Sequence, residues 1–441
     1  MADGSPRVPP KSYLPEGPLL ATVAVLGALL MLATLLVVSD PPEPVVAASG
    51  VDRRTRPDVR PTAPPSTTTP PSSAPDGSGA DGDAQAEPEQ ELEPVACPAG
   101  VDPVVCNAAA FVEEYRGRPF LTFPTVEVMD DAAFDEALLS DPGADEADLE
   151  AEDALLTAMG LIDDDVDLAA DYQDGLTAGV VGFYDPTTEE LVVRGTEFNL
   201  YVQSVLVHEL VHAHDDQWAD LEREAANDDA DYASLAVIEG NASRVEEAWI
   251  GALSAADRDR LEQERQASIS DADLRDLLEL PSIVIDLTLS PYEDGLVYVE
   301  AVAAAGGEPA VNEALTFPPT TSEDILHPDV SVGGPGTDVD VEVAAPGVDG
   351  TVVDEDQMGE LLLREWFGPR AAAGWAGDRY VLWTGPDGRS CVTDLVATDT
   401  MADRDELAQA VTTWVAERPS DRSLTVVTVD DRELLSISGC A

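Results

Sequence analysis

The pattern of apolar and polar positions divides the chain into stretches of different character. Residues 19–38, LLATVAVLGALLMLATLLVV, are an apolar run of 20 residues with no charge. A helix of that length covers the roughly 30 Å of hydrocarbon in a bilayer, and it exceeds the apolar core, about 7–15 residues, of a cleaved signal peptide. The run therefore predicts a transmembrane anchor behind a short cytoplasmic segment, 1–18, although Val45-Val46-Ala47-Ala48 leaves cleavage open. Residues 39–95 show no periodicity. They lack aromatic residues and are rich in proline, with PTAPPSTTTPPSSAP at their centre. Such a stretch cannot bury enough apolar area to fold, so it predicts a disordered tether.

The periodicities of folded elements begin near residue 96. Val202, Val205, Leu206, Leu210 and Val211 recur at helical spacing, and residues 228–250 predict a second helix. Residues 179–195, GVVGFYDPTTEELVVRG, read as a hairpin, two β-rich runs around the turn Asp185-Pro186-Thr187-Thr188. A Gly/Pro/Asp-rich stretch, 333–350, reads as a boundary or long loop. Beyond it, GELLLREWFG and DRDELAQAVTTWVAE predict helices, and RYVLW, CVTDLV, SLTVVTV and ELLSIS predict strands. The expected fold class is α+β: a mainly helical unit with a small sheet at 96–345, then a smaller α+β unit at 346–441.

Charge narrows the partners. Asp and Glu number 88 against 23 Lys and Arg, a formal net charge of -65. Such a surface repels phosphate backbones and anionic lipid alike, which excludes nucleic-acid binding. In dilute buffer the same repulsion loosens the fold, whereas high salt screens it.

Four cysteines, Cys97, Cys106, Cys391 and Cys440, form no CxxC and sit far from the histidines, which argues against a zinc–thiolate site. They allow three pairings; the sequence-local one joins Cys97 to Cys106 and Cys391 to Cys440. Disulfides persist in oxidising compartments, so the folded part is expected outside the membrane and the N-terminus inside. The positive charges flanking the apolar run do not by themselves decide the orientation.

One segment carries the chemistry. His208-Glu209-Leu210-Val211-His212 is an HExxH sequence on the first predicted helix, and three of the four histidines crowd into 208–214. Residues four apart lie one above the other, with a rise of about 6 Å, so His208 and His212 can bind one metal ion. Glu209, beside the first ligand, can take a proton from metal-activated water and pass it to a leaving amine.

A catalytic zinc has three protein ligands and an open position. His214 is a poor third, since it sits about 200° around the helix from His212. Glu239 is the better candidate: it follows the apolar stripe Leu235, Ala236 and Ile238, and Gly240 and Ala242 beside it allow a close helix approach. An acid in such a stretch is expensive to bury unless it meets a cation. Glu246 and Glu247 are runners-up for the same role or members of a solvated face.

These motifs resemble the Glu-zincins, the thermolysin-like superfamily of zinc metallopeptidases. VLVHELVHAHDDQ, AVIEGNAS and FPPTTSEDILHPD are similar to a bacterial group of membrane-anchored or secreted peptidase-MA-like proteins, over roughly 175–330, and GWAGDRYVLW resembles its C-terminal portion. The resemblance implies a zincin-like domain, Zn2+ held by His208, His212 and Glu239, and Glu209 as general base. One position departs. Thermolysin-like enzymes have an acid four residues after the glutamate ligand to orient a histidine, and here that position is Ser243. Asp215 and Asp216, one turn past His212, are candidates for that orienting role, or simply a solvated helix end. An oxyanion donor could come from His327, Tyr292 or Tyr298, each of which also fits a purely structural role. In zincins a strand above the active helix receives substrate, and Gly179–Tyr184 or Leu191–Arg194 could do so.

The sequence thus leads to the expectation of a membrane-tethered extracytoplasmic zinc metallopeptidase acting on a peptide or protein substrate. The alternative is a binding or adhesion protein of the cell envelope on the same scaffold without turnover. A third reading is an envelope protein whose histidines are incidental. HExxH dictates the nucleophile and not the substrate, so a cell-wall amide is also compatible.

Overall fold

The computed structural model describes residues 96–441 except 141–145, 169, 171–178, 196, 271–273, 276, 279, 334–340 and 430–431. The expected N-terminal segment, membrane span and tether lie outside the described residues. Among those residues no helix is long and apolar enough to cross a membrane.

The architecture is α+β. In the first part of the chain come α1 (Pro103–Arg116), β1 (Thr125–Met129), α2 (Asp131–Ser140), α3 (Glu146–Met159), β2 (Gly182–Asp185) and β3 (Glu190–Arg194). They are followed by α4 (Leu200–Asp216), α5 (Asp228–Ala252), α6 (Ala255–Ser268), α7 (Ser282–Thr316), and the short α8 (Ser322–Leu326) and α9 (Pro328–Ser331). The hairpin forms where expected, and the Asp185 carboxylate closes its turn by accepting from the Thr187 and Thr188 N–H groups. A third strand, β1, pairs parallel with β3, so among the described residues β3 is central and β2 is an edge strand. This excludes Leu191–Arg194 as a strand that receives another chain, because both of its edges are already paired.

Helices α4 and α5 start at asparagine caps, Asn199 and Asn227, whose side chains accept from Val202 and Ala230 N–H. Three aspartates in the first turn of α5 lie at the positive end of its dipole. Helix α5 crosses α7 at Gly240 and Gly295, where a β-carbon on either would overlap the partner helix's backbone. Only glycine permits this approach.

The C-terminal sheet runs β4 (Thr351–Asp356), β5 (Trp375–Thr384), β6 (Ser390–Thr398), β8 (Arg432–Cys440), β7 (Arg422–Val429), all neighbours antiparallel. Helices α10 (Gly359–Phe367), the short α11 (Pro369–Ala372) and α12 (Met401–Glu417) belong to the same unit. Its core also takes Leu155, Leu156, Met159, Ile162 and Leu168 from the first part of the chain, and Ile283 from the start of α7. The Met159 carbonyl accepts from both Trp366 and Trp414 indoles at 3.0 and 2.9 Å. Strand β4 lies just beyond a stretch that reads only as a loop. The sequence-local disulfides form: Cys391–Cys440 joins the paired strands β6 and β8, and Cys97–Cys106 closes the approach to α1.

A polar seam joins the two units. Asp229, at the start of α5, accepts from the Ser322 N–H at 2.9 Å and the Gln357 side chain at 3.1 Å. Ser322 Oγ accepts from Leu361 N–H at 3.1 Å, and Asp378 caps α10 through the Met358 and Gly359 N–H groups while accepting from Trp375. The segments SEDILHPD and GWAGD therefore have a structural place: they dock α10 against the helix that carries Glu239.

Candidate metal centre

His208 and His212 lie on the buried face of α4, their ring centroids 4.8 Å apart. Glu239 reaches them from α5, its Oε2 3.2 Å from His208 Nε2 and 3.6 Å from His212 Nε2. One ligand atom from each of the three residues lies within 4.8 Å of the others, a group that can hold a metal ion. All three are buried, Glu239 completely.

The donor set leaves polar atoms without partners. His212 Nε2, Glu239 Oε1 and Glu209 Oε2 are buried and make no hydrogen bond among the described residues. A buried orphaned polar atom is unfavourable by about 1–3 kcal/mol, more when charged. Two imidazole nitrogens and a carboxylate facing one point are what a divalent cation satisfies, so the residues fit a metal.

Electrostatics tell the same story. Burial raises the Glu239 carboxyl, and the His208 contacts oppose that rise. Burial alone would lower His208, but hydrogen bonds with Glu239 and Glu246 overcome it and hold the imidazole well above its usual range. His212 goes the other way, pushed well down by burial and by the neighbouring His208 charge. A bound cation would compete with the His208 proton for the same carboxylate.

Glu209 faces β2. Burial pushes its carboxyl up to about 8, while the Tyr184 N–H, donated from the unpaired side of β2, favours the ionised form. Gly182 makes this contact fit: a β-carbon there would sit 2.7 Å from Val205 Cγ1 and 3.2 Å from Glu209 Cγ.

The structure brings some of the other expected residues to this group and leaves others elsewhere. Tyr292, on α7, stacks over His208 with centroids 5.9 Å apart and donates its hydroxyl hydrogen bond to Glu239. Tyr298 is buried further along α7, its hydroxyl pushed up to about 12 by burial and by Asp324. His327 Nε2 lies 2.9 Å from Glu360 Oε2 in the seam between units, so it is committed there. Neither aspartate past His212 turns to a metal-facing imidazole. Asp215 is engaged by Arg116, Arg118, His214 and Asn241, and Asp216 accepts from the Tyr184 hydroxyl at 2.9 Å. These contacts engage both carboxylates away from His208 and His212.

Glu246 is the acid beside His208. Its Oε2 lies 3.3 Å from His208 Nδ1, on the ring edge away from Glu239. Glu246 follows Glu239 by seven residues, two helical turns, so both carboxylates share one face of α5. That spacing was the available signal. Glu247, the other runner-up, is exposed. The chain matches no protein-family model, no curated protein and no solved structure.

Proposed function

We propose that the chain is a zinc metallopeptidase of Glu-zincin type that cleaves peptide bonds outside the membrane to which residues 19–38 tether it. The observation that carries this reading is the convergence of His208, His212 and Glu239 beside Glu209, a carboxyl with one unpartnered oxygen. Two imidazoles and a carboxylate are a donor set suited to zinc, more than to magnesium or calcium, with zinc displacing the proton that His208 otherwise holds. Zinc held by such a set supplies Lewis acidity toward water and a substrate carbonyl.

The chain's own residues supply the rest. Glu209 receives the proton of the attacking water, and its raised carboxyl suits passing that proton on to the leaving amine. Tyr184 N–H fixes one side of Glu209, and Glu246 orients His208. Tyr292 is the one expected donor beside the group; its hydroxyl donates to Glu239, and serving a developing oxyanion requires it to turn away from that carboxylate. The outer edge of β2, apart from the Tyr184 N–H that Glu209 holds, offers backbone groups for an extended polypeptide laid alongside it. Two disulfides support an extracytoplasmic setting for the folded part.

A second reading, the same scaffold binding a partner without turnover, is favoured by depth: His208, at 7% exposure, is the most accessible of the four central residues. Glu209→Gln separates the two. In the peptidase it abolishes cleavage of a mixed peptide library while zinc content is retained. Equal cleavage by wild type and variant would remove the general base, and no cleavage by zinc-loaded wild type would favour the binding scaffold.

A further inference from the structure

The two helices of the candidate metal centre meet a second time, in a cluster of the opposite kind. Asp215, three residues after His212, and Asn241, two after Glu239, are joined by a hydrogen bond from Asn241 Nδ2 to Asp215 Oδ2 at 2.5 Å. Arg244 donates to Asn241 Oδ1 at 2.9 Å, which leaves the amide nitrogen facing Asp215 and fixes the orientation. Arg116 donates to Asp215 Oδ1 from Nε and Nη2 at 3.1 and 3.0 Å, and the same guanidinium reaches Glu308 and Asn312 on α7. The arginine side chain is fully buried. Here three arginines, with Arg118, face two carboxylates. In a chain with 88 acidic and 23 basic residues, that local excess of cations runs against composition.

We propose that the Asp215–Asn241 hydrogen bond sets the register of the two ligand helices, and that Asn241 is a positioning residue for Glu239. The inference rests on the metal-site reading above. The close approach at Gly240 and Gly295 ties α5 to α7, so it fixes the distance of that pair and not the register of α5 on α4. A hydrogen bond between side chains two and three residues from the candidate ligands is directional and opposes that slide. Helix rise is about 1.5 Å per residue, so a small slip is comparable with the tolerance of a zinc site in ligand distance, about 0.2 Å.

The test uses the purified full chain in high salt, with Zn2+ affinity by chelator competition, the Co2+ absorption spectrum, and melting of the metal-free protein. Asn241→Ala is expected to weaken Zn2+ binding on the order of 10-fold and to alter the Co2+ spectrum. The exchanged pair, Asp215→Asn with Asn241→Asp, keeps a donor facing an acceptor and is expected to restore both readouts. Rescue of metal binding is what a merely structural role would not produce. Zinc-binding wild type with an unaltered Asn241→Ala, or an exchanged pair as weak as the single variant, overturns the clamp alone. A wild type that binds no Zn2+ overturns the metal site and the clamp with it. If Asn241→Ala does not fold, the exchanged pair against wild type carries the test.

Discussion

The two polar clusters on helices α4 and α5 lie within one turn of each other in sequence and are opposites in satisfaction. Around Asp215 the carboxylate oxygens are met by donors from Arg116, Arg118, His214 and Asn241, and the Arg116 charge, though burial works against it, helps hold the carboxyl well below its ordinary range. Around Glu239 the same two helices leave Glu239 Oε1, His212 Nε2 and Glu209 Oε2 without a hydrogen bond among the described residues, and burial raises both carboxyls. A saturated buried network holds elements in place, whereas an unsaturated one of metal-ligating types is completed by something from outside.

That contrast can be broken by mutation. Arg116→Met takes the closest cation from buried Asp215, leaving only the longer Arg118 contact together with His214 and Asn241, and the expected loss is about 3 kcal/mol, read by denaturant unfolding. Glu239→Gln in metal-free protein weakens the His208 contact but also removes a carboxyl disfavoured by burial, so the two effects oppose and stability should change by no more than about 1 kcal/mol. Equal losses at the two sites would erase the distinction.

A pH effect sharpens it. Asp231, near the start of α5, has an unpartnered buried oxygen, and burial pushes its carboxyl up to about 7. Asp229 and Asp356 are also pushed to about 7, chiefly by burial. A carboxyl raised on folding binds more protons in the native chain than in the unfolded one. Its contribution is therefore complete below the unfolded value near 3.8 and is lost as pH rises through about 7. In high salt, where surface repulsion is screened, stability should fall across that window by up to about 1.4 kcal/mol per pH unit for each proton of difference. Asp231→Asn should flatten part of the slope and raise stability at pH 7. A melting temperature that climbs from pH 4 to 7 in both proteins would refute this.

What the sequence disclosed follows from the range of the interactions. The ligand helices, the hairpin and its turn rest on spacings of two to four residues, and these are visible in the chain. Glu239 was legible because an acid inside an apolar stripe demands a reason, and Glu246 was legible in principle from its two-turn spacing. The contacts of Asp215 were not legible because its partner Arg116 lies 99 residues away, and no local pattern encodes that pairing. The same applies to β1, which pairs in parallel with β3 across intervening helices, and to Leu155 and Met159, which complete a core built mostly from the C-terminal sheet. Of the three candidate oxyanion donors only Tyr292 stands beside the group, because α7 carries Tyr298 further along and the seam takes His327.

The most direct test of the account is zinc content of the purified full chain in high-salt buffer, measured for wild type and Glu239→Ala. Near one zinc per wild-type chain, lost in the variant, is the predicted result. A well-folded wild type with no zinc, or a variant that keeps it, would contradict the three-residue site on which the function rests.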